Sequence, residues 1–330
     1  MKIKEEMNYK YDITVVLASY KPFFSKLIKT INSILKQKSI LIQLIICDDG
    51  SPENFFDEIK DYLHSQKFED YKLVESKENK GTCINYYRGV KWAEGKYVKG
   101  ISPGDYFYDE NVLNNWFVFL ETNNVDLSFG RAVFYGYDKC GSNVPSLIKR
   151  HREAPAIPAI YSINYNTNII RNIRKIDWLI NRDSVYGVQI ICKTSLCLDY
   201  LERIINKVIY AEDYSFRIML LDDIDMIFFP HPVIYYEYGL GVSSDPVKKK
   251  TLLAKDELFF YESLKLHHNN SHFYKKYLFY RKITNSKKNM LLSMIMFPLS
   301  IPWRIFKYIY VKLGKSKPNN QLENGMFFRI

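Results

Sequence analysis

Ile13-Thr14-Val15-Val16-Leu17-Ala18 is a short apolar run that opens into Ser19-Tyr20-Lys21-Pro22. A second apolar run, residues 41–47, opens into Asp48-Asp49-Gly50-Ser51. Continuously apolar, β-rich runs of this length are typical of strands buried on both faces of a parallel sheet. Ligands of such sheets bind beyond the carboxyl ends of the strands, where both polar clusters lie. Because burying two unpaired carboxylates is costly, the second cluster predicts a site for a polar ligand.

The residues between the two runs predict a crossover helix. From residue 23 to residue 37, apolar side chains recur on one face of a 3.6-residue period, at Phe24, Leu27, Ile28, Ile31, Ile34 and Leu35. A strand, helix and strand of this length form a right-handed parallel βαβ unit. Such a unit occurs in many α/β proteins, so the periodicity alone leaves open whether this edge binds a nucleotide.

Further motifs follow in a fixed order along the chain. After Ala18-Ser19-Tyr20-Lys21 and Cys47-Asp48-Asp49-Gly50-Ser51 come Asn79-Lys80-Gly81, Ser102-Pro103-Gly104-Asp105 and Ala211-Glu212-Asp213. This ordered series, within residues 11–245, resembles the family 2 glycosyltransferases. The resemblance implies the GT-A fold, an α/β, Rossmann-like architecture with a mixed, mostly parallel sheet flanked by helices.

The resemblance implies that the first two strand ends hold a nucleotide sugar, with a UDP-sugar favoured. Ser19, Tyr20, Asp48 and Asp49 would hold the nucleoside, with the tyrosine ring stacked on the base, and Lys80 would reach a phosphate. The residues also allow structural roles. A half-buried tyrosine, an Asp-Gly-Ser-Pro turn and helix capping would explain the same pattern.

The third strand end carries a degenerate form of the metal-binding motif of the resembled family. Aligned from Gly95, an Asp-x-Asp-Asp pattern becomes Ser102-Pro103-Gly104-Asp105, so only the last carboxylate remains. The resemblance implies that Ser102 contacts the donor and that Asp105 binds a divalent cation, Mg²⁺ or Mn²⁺. Mg²⁺ often takes only one or two protein carboxylates, with water and phosphate completing its shell. A Pro-Gly turn with a capping aspartate is the structural alternative.

Ala211-Glu212-Asp213-Tyr214 precedes a predicted helix and has two interpretations. Carboxylates at a helix N-terminus cap it and complement its dipole. The resemblance implies instead that Asp213 is the general base for the acceptor hydroxyl and that Glu212 hydrogen-bonds the acceptor, although the two roles could be reversed. The basic clusters at residues 149–152 and 171–175 lie where the resembled enzymes bind acceptor, and a solvated surface explains them equally well.

The charge distribution predicts a boundary near residue 246. The chain has 330 residues and a net charge of +11. Residues 246–330 carry 17 Lys/Arg and 4 Asp/Glu, a net charge of +13, whereas residues 1–245 have a net charge of −2. We therefore predict a catalytic domain over residues 1–245 and a basic, helical, membrane-associating extension over residues 246–330.

The extension has the composition of an interfacial segment. Residues 290–301 are apolar but short and interrupted by Pro298, and residues 303–313 combine aromatic, apolar and basic side chains. A stretch of this length cannot span a bilayer, but it fits a helix lying in the headgroup region of an anionic leaflet. The alternative is a helix that packs its apolar stripe on the main domain. No motif for nucleic-acid recognition is present, and the Met, Leu and Ile content suits lipid better than phosphate.

The remaining composition points to the cytoplasmic face of a membrane. Residues 1–10 are charged and polar without an apolar core, which predicts no signal peptide. The five cysteines have no CxxC spacing, so neither a disulfide framework nor a metal cluster is expected. We therefore expect a cytoplasmic protein, peripheral at the inner face of the cell membrane.

Together these features predict an inverting hexosyl- or N-acetylhexosaminyl-transferase. It would transfer sugar from a nucleotide-diphosphate donor to a hydroxyl of a lipid-linked glycan in surface polysaccharide synthesis, such as capsule or O-antigen. The alternative is a catalytically silent GT-A domain that serves as a membrane-bound partner in a glycan assembly complex. Loss of two motif carboxylates favours the silent domain, and retention of Glu212 and Asp213 favours the enzyme.

Overall fold

A computed structural model describes the chain over residues 9–137, 145–147, 185, 187–237, 252–253, 255–260, 262, 272–284, 289–298, 301–302 and 305. Four features named above lie outside the described residues. They are the basic clusters at 149–152 and 171–175, the predicted boundary near 246, and nearly all of the segment 303–313.

The described strands form one mixed sheet. They are β1 (Tyr11–Ser19), β2 (Ile42–Asp48), β3 (Tyr71–Glu75), β4 (Gly95–Ile101), β5 (Tyr106–Phe107), β6 (Leu127–Tyr137), β7 (Pro145–Leu147), β8 (Ile190–Lys193) and β9 (Met226–Glu237). Their order is β3-β2-β1-β4-β8-β6-β9-β5, and β7 pairs with β6. The four longest pairings, β1 with β2, β1 with β4, β2 with β3 and β6 with β9, are parallel, which confirms the predicted mixed, mostly parallel sheet.

Helices flank this sheet, and the predicted crossover helix is confirmed as α1. The described helices are α1 (Phe24–Leu35), α2 (Phe56–Ser65), α3 (Thr82–Val90), α4 (Val112–Asn123), α5 (Thr194–Glu202), α6 (Tyr214–Leu221), α7 (His272–Thr284) and α8 (Met290–Met296). Residues 187–189 form a 3₁₀ turn, and residues 255–260 are helical. The buried face of α1 includes Leu27, Ile31 and Ile34, as the 3.6-residue period predicts.

The strand register brings the three polar clusters to one edge of the sheet. Ser19 at the end of β1 pairs with Asp48 at the end of β2. On the other side of β1, Leu17 pairs with Ile101, the last residue of β4. Since parallel strands end at the same edge, the residues that follow β1, β2 and β4 lie together there.

Two hydrophobic clusters cover the two faces of the sheet, and the C-terminal segments contribute to one of them. Phe260, Tyr277, Tyr280 and Phe297 are buried in the same cluster as Val16 of β1. Part of the region after residue 245 therefore packs against the sheet domain. In the described part of this region, none of the helices is long and apolar enough to cross a membrane.

Candidate functional site

The end of β1 presents one buried and one exposed polar residue. Ser19 is 4% exposed, and its hydroxyl donates to the Cys47 carbonyl over 3.3 Å. Tyr20 is 45% exposed, with the Lys21 ammonium 5.2 Å from the centre of its ring. The structure thus presents the Tyr20 ring to solvent at the carboxyl edge, where an aromatic face can receive a base.

The Asp48 carboxylate closes the turn that follows β2. It is fully buried and accepts hydrogen bonds from the backbone N–H and the hydroxyl of Ser51, over 2.7 and 2.6 Å. The turn chemistry considered for this motif is therefore present. The nucleoside contact predicted for Asp48 stays a prediction, and in this structure the carboxylate acts by shaping the loop beside Tyr20.

Asp49 ties the end of β2 to the beginning of α3. Its carboxylate accepts from the backbone N–H groups of Lys80 and Gly81, over 3.1 and 2.8 Å, and lies 3.2 Å from the Arg88 guanidinium. Lys80 itself extends outward, and its ammonium pairs with Glu78 over 3.0 Å. The two motifs are thus brought together, with a positive guanidinium at their junction.

Arg88 and Asn85 join this cluster, although the sequence motifs do not predict either as a site residue. The Asn85 amide is buried and donates to the carbonyls of Ser19 and Cys47, over 3.2 and 3.1 Å. Arg88 donates to the Asn85 side-chain oxygen over 2.9 Å. The signal was their three-residue spacing, which places both side chains on one face of α3.

The turn after β4 buries its carboxylate. Asp105 is 5% exposed, and the Ser102 backbone N–H donates to it over 3.3 Å. Burial raises the pKa of Asp105 to about 7, against the opposing effect of the Lys99 ammonium. Burial likewise lowers the pKa of Lys99 to about 7, and its ammonium donates to the carbonyls of Gly100 and Val188.

This turn does not fit a divalent cation well. Within the described ranges, no three His, Cys, Asp or Glu side chains group as they would around a metal ion. The Asp105 carboxylate accepts backbone hydrogen bonds from Ser102 and Glu237, and Gly104 has no side chain to act as a ligand. Ser102 is exposed, and its contact with a donor stays a prediction.

Glu212 and Asp213 lie immediately before α6 and have different partners. Asp213 is bridged to Arg217, one turn along the helix, over 3.0 Å. Burial, followed by repulsion from Asp213 and Asp256, raises the pKa of Glu212 to about 8. At neutral pH Glu212 therefore holds a proton and can donate a hydrogen bond, whereas Asp213 is held in an ion pair.

The segment before Glu212 is fixed on both sides. Asp256, from the helical residues 255–260, accepts from the backbone N–H groups of Ile209, Tyr210 and Ala211 over 2.8–3.0 Å. The Ile209 carbonyl accepts from the Cys83 N–H over 3.0 Å. Cys83 is near the start of α3, whose preceding backbone N–H groups bind Asp49. This contact therefore connects Asp49 with the segment that carries Glu212 and Asp213.

The family model described as Glycosyl transferase family 2 matches residues 14–172. Residues 14–172 belong to glycosyl transferase family 2. This part of the chain includes the ends of β1, β2 and β4 and the start of α3, so the predicted family is confirmed. Glu212 and Asp213 lie beyond the matched residues.

Two curated relatives share part of the chain. Over 127 residues it is 32% identical to the minor teichoic acid biosynthesis protein GgaB of Bacillus subtilis, covering 37% of this chain and 14% of GgaB. Over 119 residues it is 28% identical to WfaP of Escherichia coli, a UDP-Glc:α-D-GlcNAc-diphosphoundecaprenol β-1,3-glucosyltransferase, covering 36% of this chain and 44% of WfaP. The chain thus spans less than half the length of either relative.

Solved structures share the fold at low identity. S. aureus TarS 1-349 in complex with UDP-GlcNAc has a TM-score of 0.53 and 16% identity, covering 83% of this chain and 73% of that chain. The mannosyltransferase PcManGT of Pyrobaculum calidifontis, in complex with GDP-Man and Mn²⁺, has a TM-score of 0.51 and 12% identity, covering 92% and 81%. These likenesses confirm the predicted GT-A fold.

Proposed function

We propose that this chain is an inverting glycosyltransferase that moves a sugar from a UDP-sugar to a hydroxyl of a lipid-linked glycan in surface polysaccharide synthesis. One observation carries the proposal. The exposed Tyr20 ring lies at the carboxyl edge of the sheet, where Asp49 contacts Arg88 of α3. The start of α3 in turn contacts the segment that carries Glu212 and Asp213. This contact supports placing the proposed donor site next to the proposed base.

The relatives support the classes of donor and acceptor. WfaP is named for a UDP-glucose donor and a diphosphoundecaprenol-linked acceptor, and TarS is solved with UDP-GlcNAc. GgaB is named for the synthesis of teichoic acid, and teichoic acid is also a surface polymer. An exposed aromatic ring beside a carboxylate suits a uracil base, which offers a flat face and an N–H.

The proposed reaction is a single displacement at the anomeric carbon of the donor sugar. The acceptor oxygen forms a bond to that carbon while the bond from the carbon to the diphosphate oxygen breaks, and its electron pair leaves with UDP. Asp213 takes the proton of the acceptor hydroxyl. Because the acceptor oxygen attacks the face opposite to the departing diphosphate, the configuration of the anomeric carbon is inverted. A positioned base of this kind typically contributes roughly 10²–10⁴-fold to the rate.

Glu212 serves the same reaction as a hydrogen-bond donor. With its pKa raised to about 8, it is protonated at neutral pH and can hold an acceptor oxygen without competing for the proton. The proposed reaction assigns no step to a divalent cation, because the turn that ends in Asp105 offers a poor cation site.

We further propose that the enzyme works at the inner face of the cell membrane, where a lipid-linked acceptor would be found. The net charge of +13 after residue 245 would attract an anionic surface. Leu291 and Ile295 on α8 are each 70% exposed, and Phe279 and Ile283 on α7 are more than half exposed. Apolar side chains exposed beside basic ones suit an interfacial contact.

The test is a panel of UDP-, GDP- and dTDP-linked sugars, with enzyme-dependent release of the nucleotide as the readout. We expect release from a UDP-sugar by the wild-type chain and its loss in Asp213→Asn. Binding of UDP without turnover of any donor, even with a lipid-diphosphate acceptor, would favour the silent domain instead. Release from GDP-sugars alone would correct the donor class.

A further inference from the structure

Glu237 occupies the space that a side chain at position 104 would need. Gly104 stands where the Asp-x-Asp-Asp pattern places its second motif carboxylate, and its φ of +99° disfavours any other residue. A Cβ atom on Gly104 would lie 2.5 Å from Oε2 of Glu237, the last residue of β9. A carboxylate from a distant strand therefore lies beside the position at which the motif would carry its second carboxylate.

The Glu237 carboxylate is engaged by a lysine of α1. Its Oε1 lies 2.5 Å from the Lys26 ammonium, and the two side chains are only 7% and 19% exposed. One turn further along α1, the Thr30 hydroxyl accepts from the Gly104 N–H over 3.0 Å. Helix α1, the turn and β9 thus meet at one point, where the Lys26 ammonium contacts the Glu237 carboxylate.

This arrangement carries a different charge from a pair of motif carboxylates. A hard divalent cation is held by several carboxylate and carbonyl oxygens with net negative charge. Here the replacing carboxylate is already balanced by an ammonium group, and Asp105 is buried and bonded to backbone. The positive group that contacts this carboxylate is the Lys26 ammonium.

We propose that Lys26, held in place by Glu237, meets the charge of the donor diphosphate in place of a divalent cation. This inference rests on the proposed nucleotide-sugar donor. When the bond from the anomeric carbon to the phosphate oxygen breaks, the electron pair stays on that oxygen. The Lys26 ammonium stabilises the added charge by hydrogen bonding and keeps its proton. Glu237 is a positioning residue, which fixes the direction of the ammonium.

The test measures UDP affinity rather than activity, by calorimetry on the full chain in EDTA and again with MnCl₂. We expect UDP to bind in EDTA and its affinity to change by no more than about twofold with Mn²⁺. Lys26→Met should lower UDP affinity about ten- to hundredfold, the effect of losing one charged hydrogen bond. Uridine, which lacks phosphate, should bind the variant as it binds the wild type.

Two further variants keep the result interpretable. Lys26→Met leaves Glu237 buried without its partner, and removal of one member of a buried pair is strongly destabilising. The double variant Lys26→Met with Glu237→Gln removes both charges, so it should fold and still show the loss in UDP affinity. Lys29→Met, an exposed lysine of the same helix, is the matched control and should bind UDP normally.

The outcomes separate this inference from the proposed function. A rise of more than about tenfold in UDP affinity with Mn²⁺ that disappears in Glu237→Gln would make the glutamate a metal ligand, and it would overturn the inference while leaving the donor class intact. Normal UDP affinity in the folded double variant would also overturn it. Failure of UDP and uridine to bind at all would refute the proposed donor, and this inference with it.

Discussion

Asp256 and Ala211 are joined by a 3.0 Å hydrogen bond, in which a carboxylate beyond residue 245 accepts from the backbone N–H directly before Glu212. Asp256 is 1% exposed and also accepts from two preceding N–H groups. A residue from the predicted extension therefore positions the segment that carries the proposed base. We therefore expect catalysis to depend on residues past residue 245.

We expect Asp256→Asn to lower turnover about tenfold or more while leaving UDP affinity nearly unchanged. The amide keeps one oxygen acceptor but loses the other, and an unsatisfied buried N–H costs roughly 1–3 kcal/mol. The measurement is kcat against donor KM for folded enzyme, with the fold checked by thermal unfolding. If the variant unfolds at a lower temperature but keeps its kcat, Asp256 serves stability alone.

The pH profile should report the protonation of Glu212. Its pKa is raised to about 8, so the side chain holds its proton below that pH and loses it above. We therefore expect wild-type kcat to fall as the pH rises through about 8. In Glu212→Gln the neutral amide keeps a donor at all pH values, so this fall should disappear. An unchanged alkaline fall in the variant would assign it to another group.

Asp213→Asn should remove most turnover, roughly 10²–10⁴-fold, because the acceptor proton then has no base. UDP affinity should stay close to the wild-type value. Asp199→Asn is the matched control, because Asp199 on α5 forms the same kind of i,i+4 ion pair, with Arg203 directly after the helix. If Asp213→Asn keeps its turnover and Glu212→Gln loses it, the two roles are reversed.

Tyr20→Ala should weaken UDP binding by about 1–3 kcal/mol, the usual contribution of one base stacked on an aromatic ring. Because Tyr20 is 45% exposed, its removal should leave thermal unfolding unchanged. Leu41→Ala is the control, because Leu41 is 63% exposed and lies directly before β2, away from the carboxyl edge. Calorimetry with UDP and with uridine should show the same loss, since stacking involves the base alone. Wild-type affinity in Tyr20→Ala would place the base elsewhere.

Local patterns predicted the elements of this fold well. Apolar runs predicted β1 and β2, the 3.6-residue period predicted α1, and the polar residues that follow the strands lie at one sheet edge. These properties depend on neighbours in sequence, which a pattern records. The register of parallel strands then brings their ends together without further information.

The contacts that complete the site were beyond such patterns. Glu237 meets Gly104 across 133 positions, and Asp256 meets Ala211 across 45. Each depends on how distant elements pack, and neither has a local periodicity. The sequence shows that position 104 has a glycine where the motif has a carboxylate. It does not show that the Glu237 carboxylate occupies the space beside that glycine.

The exposed apolar residues of α8 allow the membrane proposal to be tested without disturbing the core. Phe297 is 4% exposed and packs edge-on against Tyr280, so truncation before α8 would remove a core residue together with the exposed surface. Leu291 and Ile295 are a better target because each is 70% exposed. Changing both to Asp adds two charges to the face proposed to contact lipid.

We expect the wild-type chain to bind phosphatidylglycerol vesicles, to be partly released at high salt, and to ignore phosphatidylcholine vesicles. Electrostatic attraction is screened by salt, whereas burial of apolar side chains is not. Leu291→Asp with Ile295→Asp should abolish vesicle binding, as measured by co-sedimentation, and still release nucleotide from a soluble donor. Val118→Asp, a 53% exposed site on α4, should bind as the wild type does.

If the wild-type chain ignores anionic vesicles at every salt concentration, the inner-face location is wrong. A soluble acceptor then becomes the better hypothesis.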